Sequence, residues 1–151
     1  MSDVAGRVLV LASDHAGFAL KEHLKTTLGE WGVQAQDLGT HDESSTDYPD
    51  YAHSLARALS AGPATLGLLV CGTGLGMSMA ANRHRGIRAA VCTDGYQARM
   101  AKLHNDANVL CLGSRVVGSG LAEDILRSFL EADFEGGRHA RRVDKIEISG
   151  P

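Results

Sequence analysis

The segment CGTGLG, Cys71 to Gly76, sets a thiol directly before three glycines at alternate positions. Gly72, Gly74 and Gly76 can let backbone N–H groups converge on one point, and a helix following them would add the positive end of its dipole. Such a loop suits an anion, either a phosphate or an oxyanion formed during reaction. A plain glycine-rich connector is the bland alternative. The dinucleotide fingerprint G-x-G-x-x-G is not met, because its third glycine position is Met77. Asp94 lies near the offset of about 20 residues where a ribose-binding acid would stand. A Walker loop is absent, since no Gly-Lys-Ser/Thr follows. Cys71, facing a helix start, is a candidate base or nucleophile. Cys92 and Cys111 fall inside apolar runs and read as small buried hydrophobes.

Three further groups could join this chemistry. Asp14 and His15 are adjacent at the end of an apolar run, and His104 and Asn105 close a helical segment. Arg138 and Arg142 are four apart, so on a helix they share one face. Two guanidinium forks there fit a phosphate dianion, or else form a solvated basic face beside Asp144 and Glu147. Arg115 is a possible third clamp. NRHRGIR, Asn82 to Arg88, is equally basic but falls at the far sheet edge from the glycines and reads as surface. The seven histidines show no H-x-x-x-H spacing and the cysteines no C-x-x-C, so no metal site is expected.

These residues must be held by a scaffold, and its rhythm is legible. Apolar strand-like runs at 7–13, 33–38, 66–71, 87–92 and 108–114 alternate with helical segments at 17–31, 49–59, 74–82, 95–104 and 118–130. A last short helix covers 138–145. Leu20, Leu24 and Leu28 recur at helical spacing, and Pro49 suits a helix's first turn. Alternating strands and helices predict an α/β fold with a parallel sheet covered on both faces. Ligands of such sheets sit beyond the carboxyl ends of the strands. Asp14, His15, Cys71 and Arg115 all follow strands.

Composition bounds the function. The chain has 151 residues, 44% of them hydrophobic, and reads as one domain over 1–151. Fifteen Lys and Arg against eighteen Asp and Glu leave −3, and aromatics are only 5%. Neither a basic field nor stacking platforms for nucleic acid are on offer. The apolar run Val8 to Ala12 is too short for a membrane span or signal segment. Three cysteines make no disulfide framework, so a soluble, cytoplasmic protein is expected.

Six motifs in order then carry a resemblance. DHAG (from Asp14), DYPDYA (from Asp47), CGTGLGMSMAANR (from Cys71), GIRAAVC (from Gly86), HNDANVLCLGSRVVG (from His104) and FEGGRHARRV (from Phe134) together resemble the ribose/galactose isomerase family. The likeness is to its ribose-5-phosphate isomerase B branch and spans about Arg7 to Ile148. It implies an α/β/α sandwich, Rossmann-like, with a five-stranded parallel sheet in the order 2-1-3-5-4. It implies interconversion of ribose 5-phosphate and ribulose 5-phosphate in pentose phosphate metabolism, without cofactor or metal. It also implies a homodimer or dimer of dimers with shared sites. Cys71 would move a proton between C1 and C2, and Thr73 would relay one between the oxygens. Gly72 to Gly76 would hold the enediolate, His104 would open the furanose ring, and Asp14 would assist. His15, Arg115, Arg138 and Arg142 would bind phosphate, and Asn105 and Tyr48 sugar hydroxyls. His104, Asn105 and Arg115 would reach across from the second subunit. Some relatives place a glutamate base at the position of Met77; here Cys71 marks the cysteine type. A six-carbon substrate such as allose 6-phosphate, a thiol hydrolase built on Cys71 and His104, and a non-catalytic sugar-phosphate-binding module are the alternatives.

Overall fold

The computed structural model describes residues 3–150. Strands β1 (Val8–Ser13), β2 (Gln34–Asp37), β3 (Leu66–Cys71), β4 (Ala89–Val91) and β5 (Val109–Gly113) form one sheet. All its pairings are parallel, in the order β2-β1-β3-β5-β4, as the resemblance implied. Helices α1 (Phe18–Glu30), α2 (Tyr48–Ala61), α3 (Leu75–Ala81), α4 (Gly95–Asn105), α5 (Ser119–Glu131) and α6 (Arg138–Asp144) complete the chain.

Alternation along the strands builds the two cores. Leu9, Leu11, Leu68, Val70, Leu110 and Leu112 point to the face covered by α1, α4 and α5. Val10, Ala12, Leu69, Cys71, Val109 and Cys111 point to the face covered by α2 and α3. A central strand buried on both faces must be apolar throughout, and β3 and β5 are buried at every residue. Leu20, Leu24 and Leu28 are the buried stripe of α1, as their spacing predicts. No helix of the described residues is long and apolar enough to cross a membrane.

β4 is shorter than its apolar run, 87–92, predicts. It is an edge strand, and the Asn82 side chain takes both backbone groups of Ala89: Nδ2 donates to its carbonyl at 2.9 Å and Oδ1 accepts from its amide at 2.8 Å. A side chain thus does locally what a sixth strand would do, and it closes an exposed edge.

At the other edge, Lys21 is fully buried. Its ammonium lies 2.7 and 2.8 Å from the Asp37 carboxylate and 2.9 Å from Glu22, and Lys25 joins the same cluster. A buried ammonium needs such partners. Burial works to raise the Asp37 carboxyl, but the hydrogen bonds from Lys21, Lys25 and the Gly39 amide outweigh it and hold it at about 2. This cluster fastens α1 to the end of β2, where the loop toward the site departs.

Candidate active site

Every strand is parallel, so each helix returns the chain from the carboxyl ends of the strands to their amino ends. That sorts the candidate residues between two edges of the sheet. Cys71 ends β3 at the carboxyl edge, followed by Gly72, Thr73 and Gly74. Gly74 is left-handed, with φ of 81°, and a Cβ there would press on the Leu112 backbone at 3.1 Å. This turn aims two amides inward. The Gly74 N–H donates to Cys71 Sγ at 3.1 Å and the Leu75 N–H donates to Thr73 Oγ1 at 3.2 Å. The thiol is buried and the threonine exposed. The alternating glycines therefore hold a sulfur and a hydroxyl in fixed places, which the spacing alone did not announce. Close approach explains Gly113 as well: a Cβ there would meet the Thr73 backbone at 2.7 Å.

Asp14 is buried at the same edge, and its Oδ1 accepts from the Gly17 amide at 3.0 Å. Gly17 is forced, because a Cβ there would lie 2.3 Å from the Val70 carbonyl oxygen. His15 is locked to Thr46 by two bonds. Its amide donates to Thr46 Oγ1 at 3.2 Å, and the Thr46 amide donates to His15 Nδ1 at 3.1 Å. An acceptor Nδ1 leaves the proton of a neutral ring on Nε2, a donor suited to an anion. Thr46 has no signal in the sequence that would single it out. Ser114 follows β5, and its hydroxyl donates to the Ala16 carbonyl at 2.8 Å and ties the Asp14–His15 turn to β5. The Tyr48 ring covers Gly76, where a Cβ would lie 2.6 Å from it.

Arg115 stands beside the glycine loop of its own chain. Its guanidinium lies over Gly72 of its own chain, where a Cβ would be 3.2 Å from Nη1, and its amide donates to the Gly72 carbonyl at 3.0 Å. The reason is local: β5 pairs with β3, so the residue after β5 emerges beside the loop after β3.

His104, Asn105, Arg138 and Arg142 stand at the opposite, amino edge. α4 ends with His104 and Asn105 just before β5 begins. Its end is clamped by Asp106, whose carboxylate meets Arg88 at 3.1 Å and Lys102 at 2.9 Å. Arg88 is thus a positioning residue within a segment read as surface. Asn105 borders a cavity of about 310 Å³ with Asn82, Ile87, Arg88 and Glu147. α6 packs on this end of α4: the Glu135 amide donates to the Leu103 carbonyl at 3.1 Å. The His104 and His139 rings stack, centroids 4.2 Å apart and 9° from parallel. His139 is buried, and burial pushes its imidazole below the usual value; His104, Arg138 and Arg142 add to this and Glu135 opposes it. Sequence reasoning passed over His139 beside the more conspicuous arginines. One chain therefore does not bring Arg138 and Arg142 to His15, nor His104 to Cys71.

Met77, on α3, is fully buried in the core shared with α2 and carries no acid or base. The other cysteines are inert hydrophobes, as read: burial raises the Cys92 thiol to about 11 and pushes Cys111 up further. Three potential ligands come together at the amino edge: Glu135 and His139, four apart in sequence, and His104, which only the fold adds.

Comparison with known proteins agrees with this fold. The sequence matches the ribose/galactose isomerase family over residues 9–146. It is 48% identical over 138 residues to the ribose-5-phosphate isomerase B of Escherichia coli K12, covering 91% of this chain and 93% of that one. The solved ribose-5-phosphate isomerase B of Clostridium thermocellum superposes with a TM-score of 0.90 at 51% identity, covering 92% of this chain and 94% of the other. The Thermotoga maritima ribose 5-phosphate isomerase gives 0.91 at 50% identity, covering 93% and 97%.

Proposed function

We infer from its relatives that this chain, which belongs to the ribose/galactose isomerase family, interconverts ribose 5-phosphate and ribulose 5-phosphate. The observation that carries the chemistry is the pairing of Cys71 and Thr73, each fixed by a loop amide at the carboxyl edge. Aldose–ketose isomerisation needs one base on carbon and one relay between oxygens. Cys71 takes the proton from C2 of the open aldose and returns it to C1. The Thr73 hydroxyl carries the O2 proton to O1. The intervening enediolate oxygens lie against the Gly72–Gly76 loop, where amide dipoles favour negative charge. Before this, His104 moves a proton between O1 and the ring oxygen to open the furanose, with Asp14 assisting. Arg115, His15, Arg138 and Arg142 hold the phosphate, and remote binding fixes the carbons beside the thiol. Asn105 and Tyr48 contact hydroxyls.

A single chain holds these groups at opposite edges of its sheet, and that division supports a homodimer, or a dimer of dimers, with shared sites. His104, Asn105, Arg138 and Arg142 of one copy would face Cys71, Thr73, Asp14 and Arg115 of another. Leu75 and Met79, one turn apart on α3, are 52% and 68% exposed beside the carboxyl edge. An apolar pair so placed suits coverage by a second copy. Residues 1–151 then act as one isomerase domain, serving pentose phosphate interconversion in the cytoplasm.

The test is an assay of ribose 5-phosphate conversion with a strong chelator and no nucleotide. Undiminished turnover is the expected result, since no step uses a metal or redox cofactor. Activity lost to the chelator and regained with a divalent ion would contradict the mechanism. Binding without turnover would mark a sugar-phosphate-binding module, and a higher kcat/KM for allose 6-phosphate would move the substrate to six carbons.

A further inference from the structure

We propose that His104, Glu135 and His139 form a site for a late first-row divalent cation of the zinc type, and that an ion there blocks isomerisation by capturing His104. Their potential donor atoms all lie within 4.8 Å of one another. His139 Nε2 is buried and makes no hydrogen bond, although Glu135 Oε2 is only 3.4 Å away. A buried nitrogen without a hydrogen bond is rare and calls for a partner. Two imidazole nitrogens and one carboxylate oxygen are a ligand set that zinc accepts with a fourth position left open. Magnesium and calcium prefer all-oxygen shells.

The geometry requires one movement. Metal–ligand bonds of about 2.0–2.2 Å set tetrahedral donors roughly 3.3–3.5 Å apart, and Glu135 and His139 already stand at that spacing. His104 must swing out of its stack on His139, and as a half-buried side chain at the end of α4 it has room to do so. Arg138 and Arg142 flank the cluster, so like charge keeps affinity below that of a structural zinc. Inhibition rests on the isomerase reading, because His104 is there the ring-opening residue; binding does not.

The experiment titrates tag-free, metal-free protein with zinc, by calorimetry and by isomerase assay in parallel. One zinc per chain is expected. Cys71→Ser should bind it as the parent does, whereas Glu135→Gln and His139→Gln should weaken binding by about tenfold or more. Glu135 is exposed and outside the proposed machinery, so Glu135→Gln should fold and keep its zinc-free activity. It should need about tenfold more zinc for inhibition, and chelator should restore the parent fully. Unchanged zinc affinity in Glu135→Gln and His139→Gln, or loss of binding in Cys71→Ser alone, would overturn the site. Zinc bound there without inhibition would overturn its consequence. Metal-free protein that binds zinc as described yet never isomerises ribose 5-phosphate would defeat the isomerase reading and leave the site standing.

Discussion

Cys71 and His104 are assigned different protons, and that difference is measurable. Cys71→Ala removes the base at carbon, so conversion of every substrate should fall by at least the 10²–10⁴-fold typical of general-base loss. His104→Ala should slow cyclic ribose 5-phosphate severely and spare erythrose 4-phosphate, which is too short to close its ring. A thiol hydrolase would use His104 to activate Cys71, and the two variants would then look alike. The check is kcat/KM of both variants on both sugars; equal loss on the two sugars in His104→Ala would refute ring opening. Arg138→Ala and Arg142→Ala each remove a charged partner proposed for the phosphate. They should cost on the order of 2–5 kcal/mol in kcat/KM, and unchanged values would remove them from the site. The residues that the fold gathers at the carboxyl edge and that sequence reasoning singled out are those with reactive side chains placed at strand ends: Cys71, Asp14, His15. Those it missed act through backbone or through neighbours. Thr46 fixes His15 and Arg88 fixes the end of α4. A hydroxyl or a surface arginine gives no signal of its own, because its role depends on what the fold brings within 3 Å.

Elements set how near these groups come, and glycine marks where they come nearest. Gly113 lies at the end of β5 against the Thr73 backbone. Gly113→Ala should push the loop off its place and lower kcat well beyond any loss of stability. Kinetics beside urea melts would show this, and wild-type kcat in a folded Gly113→Ala protein would argue that Thr73 needs no such placement. The Lys21–Asp37 pair tests the other edge. The Asp37 carboxyl is held at about 2 against an ordinary 3.8. A depressed folded value gives stability that is complete above the unfolded value. It is lost as pH falls from about 4 through 2. Asp37→Asn should therefore flatten the acid limb of stability in that window. At neutral pH it should cost on the order of 3 kcal/mol, the low end for a broken buried pair, since Glu22 still faces Lys21. Denaturant melts across pH decide it; an unchanged acid limb would mean the pair contributes nothing. Strand and helix positions were legible because apolar runs and leucine spacing dictate them. The length of β4 was not, because Asn82, seven residues away, ends it with its side chain.

At the scale of the whole molecule, the sheet order was implied by family resemblance rather than by any pattern in the residues. The division of the site follows from that order. Parallel strands send Cys71 to one edge and His104 to the other, so no rotamer of either can unite them within one chain. The same order sets Arg115 on the Cys71 side of its own chain, since β3 pairs with β5. The central claim is an isomerase site completed by a second copy, and mixed dimers test it most directly. Cys71→Ala and His104→Ala chains should each be nearly inactive on ribose 5-phosphate. In a two-fold dimer that joins them, one site carries both substitutions and the other carries neither. Co-expressed and purified as mixed dimers, they should regain about half the wild-type activity, or about a quarter if mixing is random. Activity no greater than that of the two parent variants would contradict the shared site.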